Sequence, residues 1–162
     1  MRHAKSSWTN STLADFDRPL NERGLQAASF MGEIIRKNQF KINSIVSSPA
    51  KRAKQTALLV KEAGQINSEI EFDERIYEAS TRRLLKIVSE INDKAESVML
   101  IGHNPGFEGL LKFLTGETHS MPTAALAVID LKIDEWNKAV ANSGSLRILL
   151  RPKEEMKSFD AN

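Results

Sequence analysis

The sequence predicts a three-layer α/β domain, in which helices cover both faces of a mostly parallel sheet that ends in an antiparallel hairpin. Segments whose apolar residues recur at helical spacing alternate with short β-branched or continuously apolar segments. Two of the short segments run directly into a Ser-Pro or Asn-Pro pair, and both pairs are typical of a helix start. This alternation indicates strands that are joined by helical crossovers.

The individual elements follow from these patterns. The predicted helices are residues 21–38 behind an Asn21 cap, residues 49–64 behind a Ser48 cap, residues 81–91, and residues 105–116 behind Asn104. The predicted strands are residues 42–47, 70–72, 97–101, 124–131 and 146–150, with a turn around residues 142–144 between the last two. We expect one domain over residues 1–152 and a charged, frayed tail over residues 153–162.

The composition excludes several functional classes. The 162 residues contain no cysteine, which excludes disulfides, thiolate zinc sites, c-type haem and a cysteine nucleophile. The net charge of +2 and the aromatic content of 6% argue against nucleic acid and anionic membranes as partners. The chain has neither a signal-peptide pattern nor an apolar run of roughly 20 residues, so we expect a cytoplasmic protein. We also expect a monomer.

Two strand-to-helix junctions carry side chains suited to chemistry. Ligands of open α/β sheets bind at the carboxyl ends of the strands, where Arg52 and His103 are both expected to lie. A cation in the first turn of a helix is unfavourable for the helix dipole, so Arg52 is easier to explain if an anion binds there. Taken singly, Arg52 is more often a solvated surface residue, and Gly-His-Asn is more often a simple turn.

The pair Arg2-His3 at the start of the chain changes this interpretation. Two histidines and two arginines without metal-ligand spacing form a poor metal site but a good cage for a tetrahedral dianion. Guanidinium groups hold phosphoryl oxygens bidentately, and a neutral imidazole can attack phosphorus in line. The residues therefore predict phosphoryl chemistry without a metal or another cofactor.

Several motifs follow in order along residues 1 to about 152. They are Arg2-His3-Ala4-Lys5-Ser6-Ser7-Trp8, Asp17-Arg18-Pro19-Leu20-Asn21-Glu22-Arg23-Gly24, Ser47-Ser48-Pro49-Ala50-Lys51-Arg52-Ala53-Lys54-Gln55-Thr56-Ala57, Tyr77-Glu78-Ala79-Ser80, Gly102-His103-Asn104-Pro105-Gly106 and Met121-Pro122-Thr123-Ala124-Ala125. Together they resemble the histidine phosphatase superfamily, also called phosphoglycerate-mutase-like, and within it the SixA-type phosphohistidine phosphatases. Ala4 stands where the family usually has glycine.

The resemblance implies a role for each matching residue. His3 is the expected nucleophile, and Arg2, Arg52 and His103 form the expected phosphate pocket. Glu78 resembles the general acid of many members, although it can equally be an exposed loop carboxylate. Two further phosphate contacts are expected from Thr9, which stands where other members have asparagine, and from Asn104.

The start of the chain departs from the family pattern. Members carry the Arg-His pair at the end of a central apolar strand of roughly five to seven residues, whereas this chain has only Met1 there. We therefore expect the N-terminal central strand to be missing, Arg2 and His3 to be disordered, and the natural protein to begin several residues earlier. Unpaired backbone at the centre of a sheet further predicts low stability and poor activity.

These observations favour a metal-independent phosphatase that acts through a phosphohistidine intermediate on His3. Its expected partner is a phosphohistidine-bearing protein or a small phosphorylated metabolite. The alternatives are a general phosphomonoesterase or sugar phosphatase, a mutase, for which the chain has little room, and a non-catalytic phospho-ligand-binding protein.

Overall fold

The computed structural model describes residues 1–160 and contains two sheets. Strands β1 (Ser44–Ser47), β2 (Ile70–Phe72) and β3 (Val98–Ile101) form a parallel sheet in the order β2-β1-β3. Strands β4 (Leu126–Leu131) and β5 (Gly144–Leu150) form an antiparallel hairpin. The mostly parallel character and the terminal hairpin confirm the sequence prediction.

Within residues 1–160, five α-helices accompany the strands. They are α1 (Glu22–Lys37), α2 (Lys51–Ala63), α3 (Thr81–Ser89), α4 (Gly106–Thr115) and α5 (Pro152–Asp160). Neighbouring side chains of β1 point to opposite faces of the sheet, as in any strand. Ile45 therefore packs with α1 and α2, whereas Val46 packs with α3 and α4. Each face therefore has its own apolar cluster, and the three-layer arrangement is confirmed.

Helix α1 lies directly against the loop that follows His3. Its cap is Asn21, as predicted, and the Asn21 side chain accepts a hydrogen bond of 2.9 Å from the Gly24 amide. A Cβ atom at Gly24 would collide with the main-chain carbonyl of Lys5, so only glycine allows this approach.

Two predicted helix starts are wrong by one or two residues, and the cause lies in the polar groups around them. Helix α2 begins at Lys51 with Ala50 at its cap position, and the Ser48 hydroxyl accepts a hydrogen bond of 3.3 Å from the Ala50 amide while it is also hydrogen bonded to His103. Helix α4 begins at Gly106, because the Asn104 amide donates to Glu108 and to the Met121 carbonyl. Side chains that were expected to cap helices organise the strand ends instead.

The C-terminal segment also differs from the prediction. Instead of a frayed tail, residues Pro152–Asp160 form α5, which contacts α1. Proline at the first helical position and Glu154 and Glu155 in the first turn are favourable for this helix. Residues 161–162 lie outside the described residues.

The start of the chain is ordered, and the expectation of a disordered Arg2-His3 pair is wrong. The Met1 side chain is buried, and the Met1 amino nitrogen donates to the Leu100 carbonyl at 2.7 Å. The Arg2 and His3 amides donate to Ala125 and Gly102, so these residues connect β3 to the hairpin. Below this connection, a cavity of about 580 Å³ separates β3 from β4. Within residues 1–160, the structure has no strand between β3 and β4.

Among the residues that the structure describes, no helix is both long enough and apolar enough to cross a membrane.

Candidate active site

The ring of His3 is held with one nitrogen facing the protein backbone and the other facing a cleft. The His3 amide donates to the Gly102 carbonyl at 2.9 Å, and Nδ1 lies 2.7 Å from the Ala4 carbonyl. Because a carbonyl only accepts hydrogen bonds, Nδ1 carries the proton in this contact and Nε2 keeps a lone pair. Ala4 is itself fixed, since its amide donates to the buried Thr56 hydroxyl at 3.0 Å.

Arg52 connects the two histidines. It lies in the first turn of α2 and is 7% exposed. Its Nε is 3.4 Å from His3 Nε2, and its Nη2 is 3.4 Å from His103 Nδ1. The prediction that Arg52 and His103 face one crevice is therefore confirmed.

His103 follows the carboxyl end of β3 and is buried beside His3. The two imidazole ring centroids are 5.0 Å apart, and His103 Nε2 shares a hydrogen bond of 2.8 Å with the Ser48 hydroxyl. Ser48 follows β1, so the ends of two neighbouring parallel strands jointly orient this ring.

Both imidazoles are neutral at neutral pH. Burial lowers the pKa of His3 to about 4; the Ala4 carbonyl opposes this shift, and the positive charges of Arg52, Arg2 and Arg18 add to it. Burial also lowers the pKa of His103 to about 3, together with the neighbouring His3 and Arg52. A neutral His3 is the form that can act as a nucleophile.

Arg2 adds a second guanidinium to this cluster. Its Nη1 donates to the Met121 carbonyl at 2.9 Å, whereas its buried Nε has no hydrogen-bond partner within residues 1–160. Burial lowers the pKa of Arg2, and the carboxylate of Glu108 opposes this effect. A buried N–H without a partner is costly, and a bound anion can satisfy it.

The structure adds Asp15, which the sequence analysis did not identify. Arg52 donates to both the Asp15 carbonyl (2.6 Å, from Nη1) and the carboxylate oxygen Oδ2 (2.9 Å, from Nη2). Tyr77 donates to the same Oδ2 at 2.8 Å, and Arg18 donates to Oδ1 at 2.7 Å. The one signal in the sequence was Arg52 itself, because a cation in a first helical turn calls for an anion nearby.

Asp15 is ionised throughout the physiological pH range. Partial burial opposes ionisation, but the hydrogen bonds from Tyr77, Arg18 and Arg52 outweigh it and lower the pKa of the carboxyl to about 2. The side chain is still 46% exposed, so Asp15 stands at the mouth of the cleft.

The remaining predicted residues are Thr9, Asn104 and Glu78. Thr9 is exposed and its hydroxyl is 2.8 Å from that of Ser7. The Asn104 amide nitrogen is engaged by Glu108 and the Met121 carbonyl, so its two hydrogens are both used. Glu78 is exposed beside Tyr77, with a backbone φ of 51°. The roles of these three residues stay predictions.

Within residues 1–160, no three His, Cys, Asp or Glu side chains are grouped so that they could hold a metal ion. The polar groups around the two imidazoles are guanidinium, hydroxyl and backbone groups. The guanidinium groups of Arg2 and Arg52 are the hydrogen-bond donors in this set that fit an oxyanion such as phosphate, whereas the Ala4 carbonyl beside His3 only accepts.

Comparisons with known proteins agree with this geometry. Residues 1–99 match the family described as histidine phosphatase superfamily (branch 1). An uncharacterized protein of Mycobacterium leprae is 30% identical over 159 residues, which cover 90% of this chain and 96% of that protein. An uncharacterized chloroplastic protein of Arabidopsis thaliana is 28% identical over 153 residues, which cover 89% of this chain and 70% of that protein.

Solved structures show the same likeness. The crystal structure of a candidate phosphohistidine phosphatase SixA from Agrobacterium tumefaciens is 30% identical, with a TM-score of 0.81 over 94% of this chain and 95% of that one. A protein histidine phosphatase SixA in complex with tungstate shares the fold, with 23% identity and a TM-score of 0.78 over 96% of both chains. The chain thus belongs to the histidine phosphatase superfamily, branch 1, and is a phosphatase with a SixA-like fold.

Proposed function

We propose that this phosphatase hydrolyses phosphohistidine in proteins through a phosphohistidine intermediate on His3. The observation that carries the proposal is the hydrogen bond from His3 Nδ1 to the Ala4 carbonyl, which directs the Nε2 lone pair toward the Arg52 guanidinium. In this scheme Arg2, Arg52 and His103 surround the phosphoryl oxygens and stabilise the charge of the transition state.

In the first step, His3 Nε2 attacks the phosphorus atom of the substrate. A bond forms between Nε2 and phosphorus while the bond from phosphorus to the substrate imidazole breaks, and its electron pair stays on the departing nitrogen. When the distal nitrogen of the substrate ring carries a proton, the leaving group is neutral imidazole. The Ala4 carbonyl keeps the corresponding proton on Nδ1 of the phosphorylated His3.

In the second step, water attacks the phosphorus atom of phosphorylated His3. The electron pair of the phosphorus–nitrogen bond returns to Nε2, both water protons stay on the released phosphate, and His3 is again neutral. Because Nδ1 remains protonated throughout, His3 also leaves as neutral imidazole, which is a good leaving group. No metal or other cofactor takes part in either step.

A phosphohistidine substrate fits the acid–base groups at the cleft better than a phosphomonoester does. An alkoxide leaving group needs a proton donor, but Asp15 has a pKa lowered to about 2 and carries no proton at neutral pH. The Glu78 side chain is exposed to solvent. The relative from Agrobacterium tumefaciens, itself a candidate phosphohistidine phosphatase, supports the same choice.

The test is phosphate release from a protein phosphorylated on histidine, beside a panel of sugar phosphates. We expect the purified chain to dephosphorylate the protein and to act on sugar phosphates more slowly. His3→Asn should release nothing above the uncatalysed rate, whereas the control His119→Asn, in a half-exposed loop, should behave like the parent. Faster turnover of the sugar phosphates would identify a general phosphomonoesterase and overturn the proposal.

A further inference from the structure

The Arg52 guanidinium places His3 and Asp15 at opposite edges. Nε points to His3 Nε2, whereas Nη1 and Nη2 both point to Asp15. A phosphoryl group that lies against this guanidinium and binds His3 Nε2 therefore has its leaving group on the side of Asp15.

The Asp15 carboxylate retains capacity for another hydrogen bond. A carboxylate offers about four acceptor positions. Oδ2 accepts from Arg52 and Tyr77, and Oδ1 accepts from Arg18 alone. With nearly half of the side chain exposed at the mouth of the cleft, the remaining Oδ1 position is accessible to a bound substrate.

We propose that Asp15 is a specificity-determining residue, whose carboxylate accepts a hydrogen bond from the distal ring N–H of the substrate phosphohistidine. The inference rests on the proposed function, since it concerns the leaving group of the same reaction. An acceptor of this kind favours imidazole over alkoxide or phenolate leaving groups, which have no such N–H and gain nothing from a nearby negative charge.

The contact acts by keeping the substrate ring protonated. While the phosphorus–nitrogen bond breaks, the distal proton stays on the ring beside Asp15, and the bonding electron pair goes to the departing nitrogen. Neutral imidazole leaves and no proton has to be transferred. Asp15 thus keeps a proton on the distal nitrogen of the substrate ring, as the Ala4 carbonyl keeps a proton on Nδ1 of His3.

The charges around Asp15 hold it ionised. Arg18 on its own loop, Arg52 on α2 and Tyr77 after β2 all donate to it, and the negative charge of Asp15 in turn raises the pKa of His103 against the effect of burial. Its charge is thus constant while the substrate ring titrates, and it shifts that titration to higher pH.

The test compares Asp15→Asn with Asp17→Asn, which removes the same charge two residues further along the exposed 3₁₀ helix Asp15–Asp17. The probes are phosphoimidazole and p-nitrophenyl phosphate. For Asp15→Asn, kcat/KM for phosphoimidazole should fall by about tenfold to a hundredfold, as expected for a lost hydrogen bond to a charged group. The value for p-nitrophenyl phosphate should stay the same or rise, and Asp17→Asn should resemble the parent with both probes.

Two further readouts separate substrate contact from a structural role. In Asp15→Asn, the alkaline limb of the plot of kcat against pH for phosphoimidazole should move to lower pH, because kcat reports ionisation in the enzyme–substrate complex. Binding of inorganic phosphate should be retained. If Asp15→Asn lowers kcat/KM by the same factor with both probes, Asp15 only positions Arg52. If Asp15→Asn and Asp17→Asn change kcat/KM equally, the effect is one of net charge. Either result overturns the inference. A parent chain that acts on p-nitrophenyl phosphate but not on phosphoimidazole contradicts the proposed function itself.

Discussion

The floor and the rim of the active site are built in different ways. The floor consists of Arg2, His3, Arg52 and His103. Arg52 lies in the first turn of α2 and His103 follows β3, whereas the Arg2 and His3 amides are hydrogen bonded to the Ala125 and Gly102 carbonyls. The histidines and Arg52 are 7–8% exposed. The rim consists of Trp8, Asp15, Phe16, Arg18 and Tyr77. It is formed by loops, and Trp8 is 76% exposed.

This difference assigns the chemical reaction to the floor and the selectivity between substrates to the rim. Sheet hydrogen bonds and burial fix the floor, which suits groups that need one geometry in the transition state. The rim is held by a few polar and ring contacts. The Phe16 and Tyr77 rings meet edge to face with their centroids 5.1 Å apart, and the Arg18 guanidinium stacks on the Trp8 ring. Loops of this kind can change their side chains without disturbing the sheet.

Two buried arginines that both bind Asp15 allow the sharpest comparison. Arg52 also contacts both histidines, whereas Arg18 binds Asp15, Ser6 and the Ser7 carbonyl. We expect Arg52→Lys to lower kcat/KM by about 10²- to 10³-fold, as for loss of a transition-state donor. Arg18→Lys should lower kcat/KM by a much smaller factor. Steady-state kinetics on both variants measure this, and equal losses would remove the distinction between floor and rim.

Thr56 tests how the floor is held together. Its hydroxyl accepts from the Ala4 amide and donates to the Arg52 carbonyl at 2.7 Å. Thr56→Val leaves the buried Ala4 amide unpaired, which should lower the free energy of unfolding by about 1–3 kcal/mol and slow phosphorylation of His3. Thr115→Val, which removes a hydroxyl bonded to the Leu111 carbonyl in α4, is the control. The free energy of unfolding is measured by denaturant titration. A smaller decrease for Thr56→Val than for Thr115→Val would contradict this role of Thr56.

The buried imidazoles of the floor predict a pH dependence. The pKa values of His3 and His103 are lowered from 6.5 to about 4 and about 3, so the unfolded chain binds protons in a range where the folded chain does not. The free energy of unfolding should fall as the pH drops from about 6.5 toward 4, by up to about 1.4 kcal/mol per pH unit for each histidine. NMR titration of the ring signals, assigned with His3→Asn and His103→Asn, checks this. Midpoints between pH 6 and 7 would contradict it.

The smallest expected effect concerns the rim. Tyr77→Phe removes one donor to Asp15 and leaves the ring contacts with Phe16 and His103 in place. The preference for phosphoimidazole over p-nitrophenyl phosphate should change by about twofold to tenfold, the range of one ordinary hydrogen bond. A change in the KM for both substrates by the same factor would instead assign Tyr77 to general substrate binding.

The positions of Arg52 and His103 in the floor were predictable from sequence, whereas the ordered placement of Arg2 and His3 and the contacts of the rim were not. Arg52 and His103 follow apolar strands directly, and parallel strands bring their carboxyl ends to one edge. Asp15 lies in a loop without periodicity, and its importance arises from contacts with residues 37 and 62 positions away in the chain. No local pattern encodes such contacts.

Helix boundaries show the same limit on a smaller scale. The Asn21 cap was predicted correctly because its partner, Gly24, is three residues away. Ser48 has a cap-like sequence, yet its hydroxyl is bonded to His103, 55 residues further on. At Ser48 the tertiary contact is added to a local one with the Ala50 amide, so the local sequence alone does not set where the helix begins.

The central claim is that His3 Nε2 carries the phosphoryl group during turnover. Rapid quenching with radiolabelled phosphoimidazole, followed by peptide mapping, tests it most directly. We predict an acid-labile, alkali-stable phosphoryl group on His3 that forms before phosphate is released and disappears with the release of phosphate. Label on His103, release of phosphate without any labelled enzyme, or binding without labelling or release would contradict the account.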